Sequence, residues 1–325
     1  MPSSESSVNY RLGSLYSLAT AFLLATQEPF SFPAAKHLSA TKFVCLTQIA
    51  LLVSIPLLLM LHANSRRDFV ALLGDSSNYW KLAVIFAIGM SGLLLYNLGL
   101  HNSHPIIIVA ILNLSPFWAA LVALIISRVP IPVSPAIFFS CLAGAFIGAM
   151  AVAWSQIGAG GKPTISELAD SFLHGSWIYA IPVPIFSALG GTLIGKWFAK
   201  YNESAAIAAN FLVSTLVLIP VTVFILYRRA DLQYEQLPAI GLMVIGTIVA
   251  ASLGRVLYQV ALTVTGNDNG FVTMFFLLVP ALTALISLPL SWWIADLHFS
   301  AGPAFFFGLL IIAASLLLFS LKSWR

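Results

Sequence analysis

The chain has 325 residues, of which 60% are hydrophobic and only 8% charged, against about 25% charged in an ordinary soluble domain. So few polar groups cannot cover a water-soluble globule. The two cysteines, Cys45 and Cys141, each lie inside an apolar run and exclude a secreted disulfide scaffold. The net charge of +4 comes from 15 basic and 11 acidic residues scattered between apolar segments, and no Lys/Arg block is long enough to grip nucleic acid. The composition describes a polytopic protein of the lipid bilayer.

Residues 1–10 (MPSSESSVNY) read as a short disordered tail; they are polar and acidic, and the apolar run after Arg11 is too long for the core of a cleaved signal. A transmembrane helix needs about 20 mostly apolar residues to cross about 30 Å of hydrocarbon. Ten segments qualify: 12–33, 39–62, 80–101, 105–127, 135–154, 174–197, 205–227, 237–262, 270–293 and 302–321. Polar punctuation separates them, as at Asn64 to Asp68, Arg128 to Pro135, Asn202 to Ser204, and Gly266 to Gly270. The longest connector, 155–173, holds a glycine-rich stretch and then Thr164 and Glu167, a capping-box spacing for a short surface helix. With the N-terminus in the cytoplasm, one side collects Arg11, Arg66, Arg67, Lys81, Arg128, Lys196, Lys200, Lys322 and Arg325. The other collects Lys36, Lys42, Lys162, Arg228 and Arg229. The first set is larger, so both termini are expected inside. Trp80, Trp154, Trp177, Trp197, Trp292 and Trp324 fall at span ends, as interfacial anchors do; Trp118 falls near mid-span.

A shift of about 162 residues lays the second half of the chain on the first. Gly13-Ser14 meets Gly175-Ser176, Arg66-Arg67 meets Arg228-Arg229, and Tyr96-Asn97 meets Tyr258-Gln259. With two more residues, Pro56 meets Pro220 and Pro116 meets Pro280. Each copy holds five spans, an odd number, so the copies lie in the membrane in opposite orientation. Inverted repeats of this kind are a transporter signature.

On these residues the chain resembles the drug/metabolite transporter superfamily, in its ten-helix form built from two EamA-type domains. The resemblance covers 11–321 and is carried by Gly13 and Gly175, Tyr96 and Tyr258, Pro116 and Pro280, and the small residues Gly144, Gly148, Gly308, Ala313 and Ala314. The chain departs from the family pattern at Ser127-Arg128 and Ser291-Trp292, where a Gly-Glu pair is usual. It departs again at Thr26-Gln27-Glu28-Pro29, where a Trp-Gly-small-small stretch is usual. The resemblance implies an all-α fold of two inverted five-helix repeats, residues 11–154 and 174–325. It implies secondary-active export of a small metabolite, an amino acid or amine, from a bacterial plasma membrane.

Charges inside spans are costly unless paired or wet. Glu28 stands about 24 Å along the first helix at 1.5 Å per residue, where it is either a cavity or proton-coupling group or an interfacial carboxylate. Arg255, in the eighth span, either faces a substrate or snorkels to headgroups. Pro116 and Pro280 each remove a helical hydrogen bond at repeat-related places, and read as hinges or as plain kinks. Gln27, Tyr96, Asn97, Asn113, Trp118, Tyr258 and Gln259 complete the candidate substrate-binding set, against the plainer reading of interhelical glue.

Nothing in the sequence calls for a cofactor or metal. It has neither a His-Glu-x-x-His pair nor a Gly-x-x-x-x-Gly-Lys loop. Gly89-Met90-Ser91-Gly92 is the lone protease-like motif, and its histidines fall near span ends. The chain is therefore expected to be no enzyme, with a small-molecule substrate, protons and the bilayer as partners, as a monomer or homodimer. A passive pore or a lipid-handling protein is the alternative, with an intramembrane serine protease behind them.

Overall fold

The computed structural model describes residues 9–60, 63–101, 103, 105–128, 133–157, 175–228, 236–265, 272, 275–294 and 302–323. The expected connector helix at Thr164–Glu167 and most of the N-terminal tail lie outside the described residues. Among those described, every regular element is helical. In chain order they are α1 (Tyr10–Leu24), α2 (Gln27–His37), α3 (Ala40–Leu51), α4 (Ser54–Met60), α5 (Ser65–Gly74), α6 (Tyr79–His101), α7 (Pro105–Leu112) and α8 (Ser115–Ser127). There follow α9 (Pro135–Ile157), α10 (Val183–Trp197), α11 (Glu203–Arg228), α12 (Leu237–Thr247), α13 (Arg255–Val264), α14 (Val279–Leu290) and α15 (Pro303–Ser323). A π-helical stretch, Ile248–Gly254, joins α12 to α13, and 3-10 turns at Ser176–Ala180 and Phe275–Leu278 precede α10 and α14. Seven stretches among the described residues are long and apolar enough to cross a membrane: Ala40–Met60, Ser76–His101, Ile107–Ile126, Pro135–Val152, Ser176–Trp197, Glu203–Phe224 and Leu237–Ala261.

The local signals are those of ordinary helix ends. Asn9 Oδ1 accepts from the Leu12 N–H at 3.0 Å and opens α1 at Tyr10, inside the stretch expected to be tail. Ser39 Oγ caps α3 in the same way.

Where the sequence suggests single spans, several helices are broken, and proline explains where. A proline at position i leaves the carbonyl at i−4 without its helical donor, and in hydrocarbon that carbonyl must find another. Pro29 frees the Ala25 carbonyl, so the first span breaks at Ala25 and Thr26. Pro33 is carried inside α2, which runs on to His37. The Ala25 carbonyl accepts from Thr283 Oγ1 on α14 at 3.3 Å. Pro56 frees Leu52, whose carbonyl takes the Ile55 N–H at 3.2 Å between α3 and α4. Pro116 frees Leu112, which accepts from the Ser115 hydroxyl between α7 and α8.

The contacts between helices come in reciprocal sets. α1 packs on α13 as the Ser176–Ala180 turn packs on α6, and α2 packs on α12 as α10 packs on α6. α3 lies on α11, α7 on α14, and α9 on α15. The last pair is the most intimate. A Cβ on Gly148 would sit 2.6 Å from the Gly308 carbonyl oxygen, and a Cβ on Gly308 would sit 2.6 Å from that of Gly148. Only glycine allows two helices so close.

Residues 65–78, which open on the punctuation at Asn64 to Asp68, form α5 and a following 3-10 turn that tie the two halves together. Asn78 Nδ2 donates to the Tyr201 hydroxyl at 3.2 Å, the Asn202 N–H donates to Asp68 Oδ2 at 3.0 Å, and Lys200 pairs with Asp75 at 3.4 Å. Trp80 and Trp197 pack together at this same end, 5.1 Å between rings. At the opposite end Gln236 Nε2 donates to the His37 carbonyl at 3.3 Å, and His101 Nδ1 lies 2.6 Å from the Ala35 carbonyl.

Candidate functional site

The candidate residues do not form one site; the fold distributes them over three places. The first is the meeting of α2, α3 and α6 towards the His37 end. Breaking the helix before Gln27 places Glu28 in the first turn of α2, where a carboxylate suits the positive end of a helix. Glu28 is buried, and its Oε2 has no hydrogen-bond partner among the described residues. Tyr96, on α6, lies in electrostatic range of the Glu28 carboxylate and beside Ser31, and its ring packs 6.4 Å from Phe43 of α3. Asn97 is buried with an unpartnered Nδ2. Gln27 is half-buried at the break itself.

Two further residues belong to this polar interior: Asn210, polar at mid-span in the sequence, and Gln48, which the sequence reading missed. Gln48 on α3 is buried with its Oε1 unpartnered, and Asn210 on α11 has a buried, unpartnered Oδ1. Their helices touch, with Thr215 Oγ1 donating to the Gln48 carbonyl at 3.1 Å. The signal that would have found Gln48 was available: it stands 162 residues before Asn210, the repeat offset, and both are carboxamides. Ser31 is also legible, one helical turn beyond Glu28 on the same face.

The second place lies towards the α5 end, where α11 and α13 pass. Arg255 opens α13 directly after the π-helical stretch, a geometry that recurs at functional sites. Its guanidinium stands 5.7 Å from the centre of the Phe211 ring, with Glu203 and Tyr258 in electrostatic range. The side chain is exposed. Ser252 in the π stretch shares a short hydrogen bond with Ser54, at the start of α4. Tyr258 packs on Phe276 at 5.8 Å, and Gln259 is buried behind it. Among the described residues no ion pair joins Arg255 to Glu28.

The third place is a cavity of about 470 Å³ between α7, α8, α9 and the Ser176–Ala180 turn. Trp118, Trp177, Ile111, Phe146 and Met150 are among its walls, and its rim residues Phe139 and Phe146 are exposed on the outer surface. Trp118 is therefore a cavity residue, with its indole Nε1 buried and unpartnered.

Asn113 belongs to none of the three. Its Nδ2 donates to the Val109 carbonyl at 2.9 Å, so the amide stabilises the break between α7 and α8. The hinge candidates are likewise relocated: Pro116 and Pro280 each stand in the first turn of a helix, after the turn at Asn113-Leu114 and the 3-10 turn Phe275–Leu278 respectively. Proline is favoured there. Neither therefore kinks a continuous helix.

No family model matches the chain, and no curated protein matches it. Among solved structures, it is similar to a protein known by its crystal structure, whose description states no activity. The two share 17% sequence identity over 96% of this chain and 98% of that one, with a TM-score of 0.55. That likeness shows the fold alone.

Proposed function

We propose that the chain is a secondary-active transporter of the drug/metabolite transporter superfamily, of the ten-helix EamA type. In this reading two inverted five-helix repeats alternate access to a small metabolite, an amino acid or amine, which is exported across a bacterial plasma membrane with both termini cytoplasmic. The reciprocal packing of α2 on α12 and α10 on α6 supports two copies of one unit. Gathering Arg66, Arg67, Lys81, Lys196 and Lys200 around the α5 end supports that end as the cytoplasmic one. The observation that carries the reading is the set of buried acceptors without donors, Glu28 Oε2, Gln48 Oε1 and Asn210 Oδ1. Such groups are expensive in a bilayer interior, and a cargo ammonium or a proton would satisfy them. Glu28 is the natural proton carrier, since it is a buried acid on a broken helix.

The lateral cavity at Trp118 favours a second reading, a lipid-handling protein, because its rim faces the outer apolar surface. One experiment separates the two. Purified protein in liposomes is given an imposed proton gradient and a panel of labelled amino acids and amines, and fluorescent phospholipid is followed in parallel. Saturable amine or amino-acid flux that follows the proton gradient and is lost in Glu28→Gln supports the transporter. Phospholipid scrambling without metabolite flux supports the second reading, and linear unsaturable flux would make the chain a pore.

A further inference from the structure

We propose that the α5 end carries a binding site for the phosphate headgroup of an anionic phospholipid, between the C-termini of α8 and α10. A surface depression there is lined by Ile126, Arg128, Thr192, Gly195 and Lys196. No acidic residue is among them. Arg128 is the α8 C-cap, with φ at 54°, the one positive value for a non-glycine among the described residues. A side chain other than glycine, asparagine or aspartate adopts that conformation only where its surroundings over-determine it. Lys196 Nζ donates to the Ile126 carbonyl at 2.8 Å, which fixes the ammonium over the end of α8. An ammonium has three donors, so two remain. No described acid pairs with either cation. The partial negative charge of two helix C-termini is smaller than the two full positive charges beside it, so the depression stays electropositive.

Two observations favour a lipid over a soluble anion. On α10, a Cβ at Gly191 or Gly195 would meet nothing within 4 Å, which leaves an open furrow running from the depression along the apolar helix. Ile125, 76% exposed, borders the same end of α8. Trp197, paired with Trp80, sets headgroup depth beside it. Phosphate on Arg128, Lys196 and Thr192, with an acyl chain in the glycine furrow, matches both the polar and the apolar part of the site.

The test uses the full chain purified in mild detergent. Native mass spectrometry counts bound lipid, and thermal unfolding is followed against added phosphatidylglycerol, phosphatidylcholine or inorganic phosphate. One phosphatidylglycerol per chain should bind and raise the melting temperature, with phosphatidylcholine and phosphate inert. Removing both cations in Arg128→Gln/Lys196→Gln should weaken binding about thirtyfold, each contributing as basic residues do at an anionic surface. Because that variant also removes the contact to Ile126, Gly195→Leu provides an independent arm: it keeps both cations, fills the furrow and should also lose the lipid. Unchanged phosphatidylglycerol binding in either variant overturns the proposal. So does equal stabilisation by inorganic phosphate, which would make the depression a soluble-anion site.

Discussion

Thr283 on α14 donates its hydroxyl to the Ala25 carbonyl at 3.3 Å, across 258 residues of sequence, and that carbonyl is the one Pro29 leaves without a donor. Thr283 is fully buried. Thr283→Val keeps the shape and orphans the acceptor, at a cost of about 1–3 kcal/mol. Pro29→Ala returns an N–H at the right place, so the Thr283→Val cost should shrink in that background. A double-mutant cycle on thermal or denaturant unfolding reads the coupling; additive costs would separate the break from Thr283.

The seam between α9 and α15 gives a second test. Gly148→Ala and Gly308→Ala each place a Cβ 2.6 Å from a backbone oxygen that cannot move alone, so the helices must part. Overpacking of this kind costs about 1–3 kcal/mol. Gly191→Ala, made in open space, should be neutral or stabilising by up to about 1 kcal/mol through helix propensity. Melting temperatures of the three variants should rank accordingly.

The ties at the α5 end predict a pH dependence. Hydrogen bonds from Ser77, side chain first and backbone second, hold the Asp75 carboxylate below its ordinary value of 3.8, and Lys200 adds to this. Lys200 is raised above its ordinary 10.5, by Tyr201 first and by Asp75 after it. A lowered carboxylate contributes stability above its unfolded value and loses it as pH falls through the folded one. A raised ammonium contributes below its unfolded value and loses it as pH rises through the folded one. Asp75→Asn should therefore melt lower than the parent at neutral pH. The gap should close on acidification below 3.8, and it should narrow in high salt because the pair is exposed.

Arg255 stands on Phe211 beside a π-helical stretch, with its side chain exposed. Arg255→Leu should reach the membrane and fold but lose most flux, and Phe211→Leu, which removes the ring face, should raise the substrate concentration for half-maximal flux. Normal flux in both variants would return Arg255 to the headgroups.

Pro116 and Pro280 open helices after breaks in corresponding places. Alanine at either allows the helix to continue through the break, since it restores the missing N–H. Both variants should express well and transport slowly. Labelling of single introduced cysteines should shift towards opposite faces in the two, and the buried Cys45 and Cys141 keep the background low. Unchanged flux and labelling would make the breaks static.

The sequence by itself determined the solvent, the helical class and the residues that interrupt helices, because these follow from local counts: apolar run length, charge scarcity and the i−4 carbonyl that each proline frees. The constant offset that pairs Tyr96 with Tyr258 also carries Gln48 to Asn210, so Gln48 was legible from its repeat partner and was overlooked. Tertiary structure alone decided the donors and neighbours. Ala25 meets Thr283, Gly148 meets Gly308, and Glu28 comes within electrostatic range of Tyr96 while Arg255 goes to Phe211. Depth along a helix can be counted from sequence, but which face turns inward depends on packing against helices far away in the chain. In a segment apolar all round, no hydrophobic period marks that face.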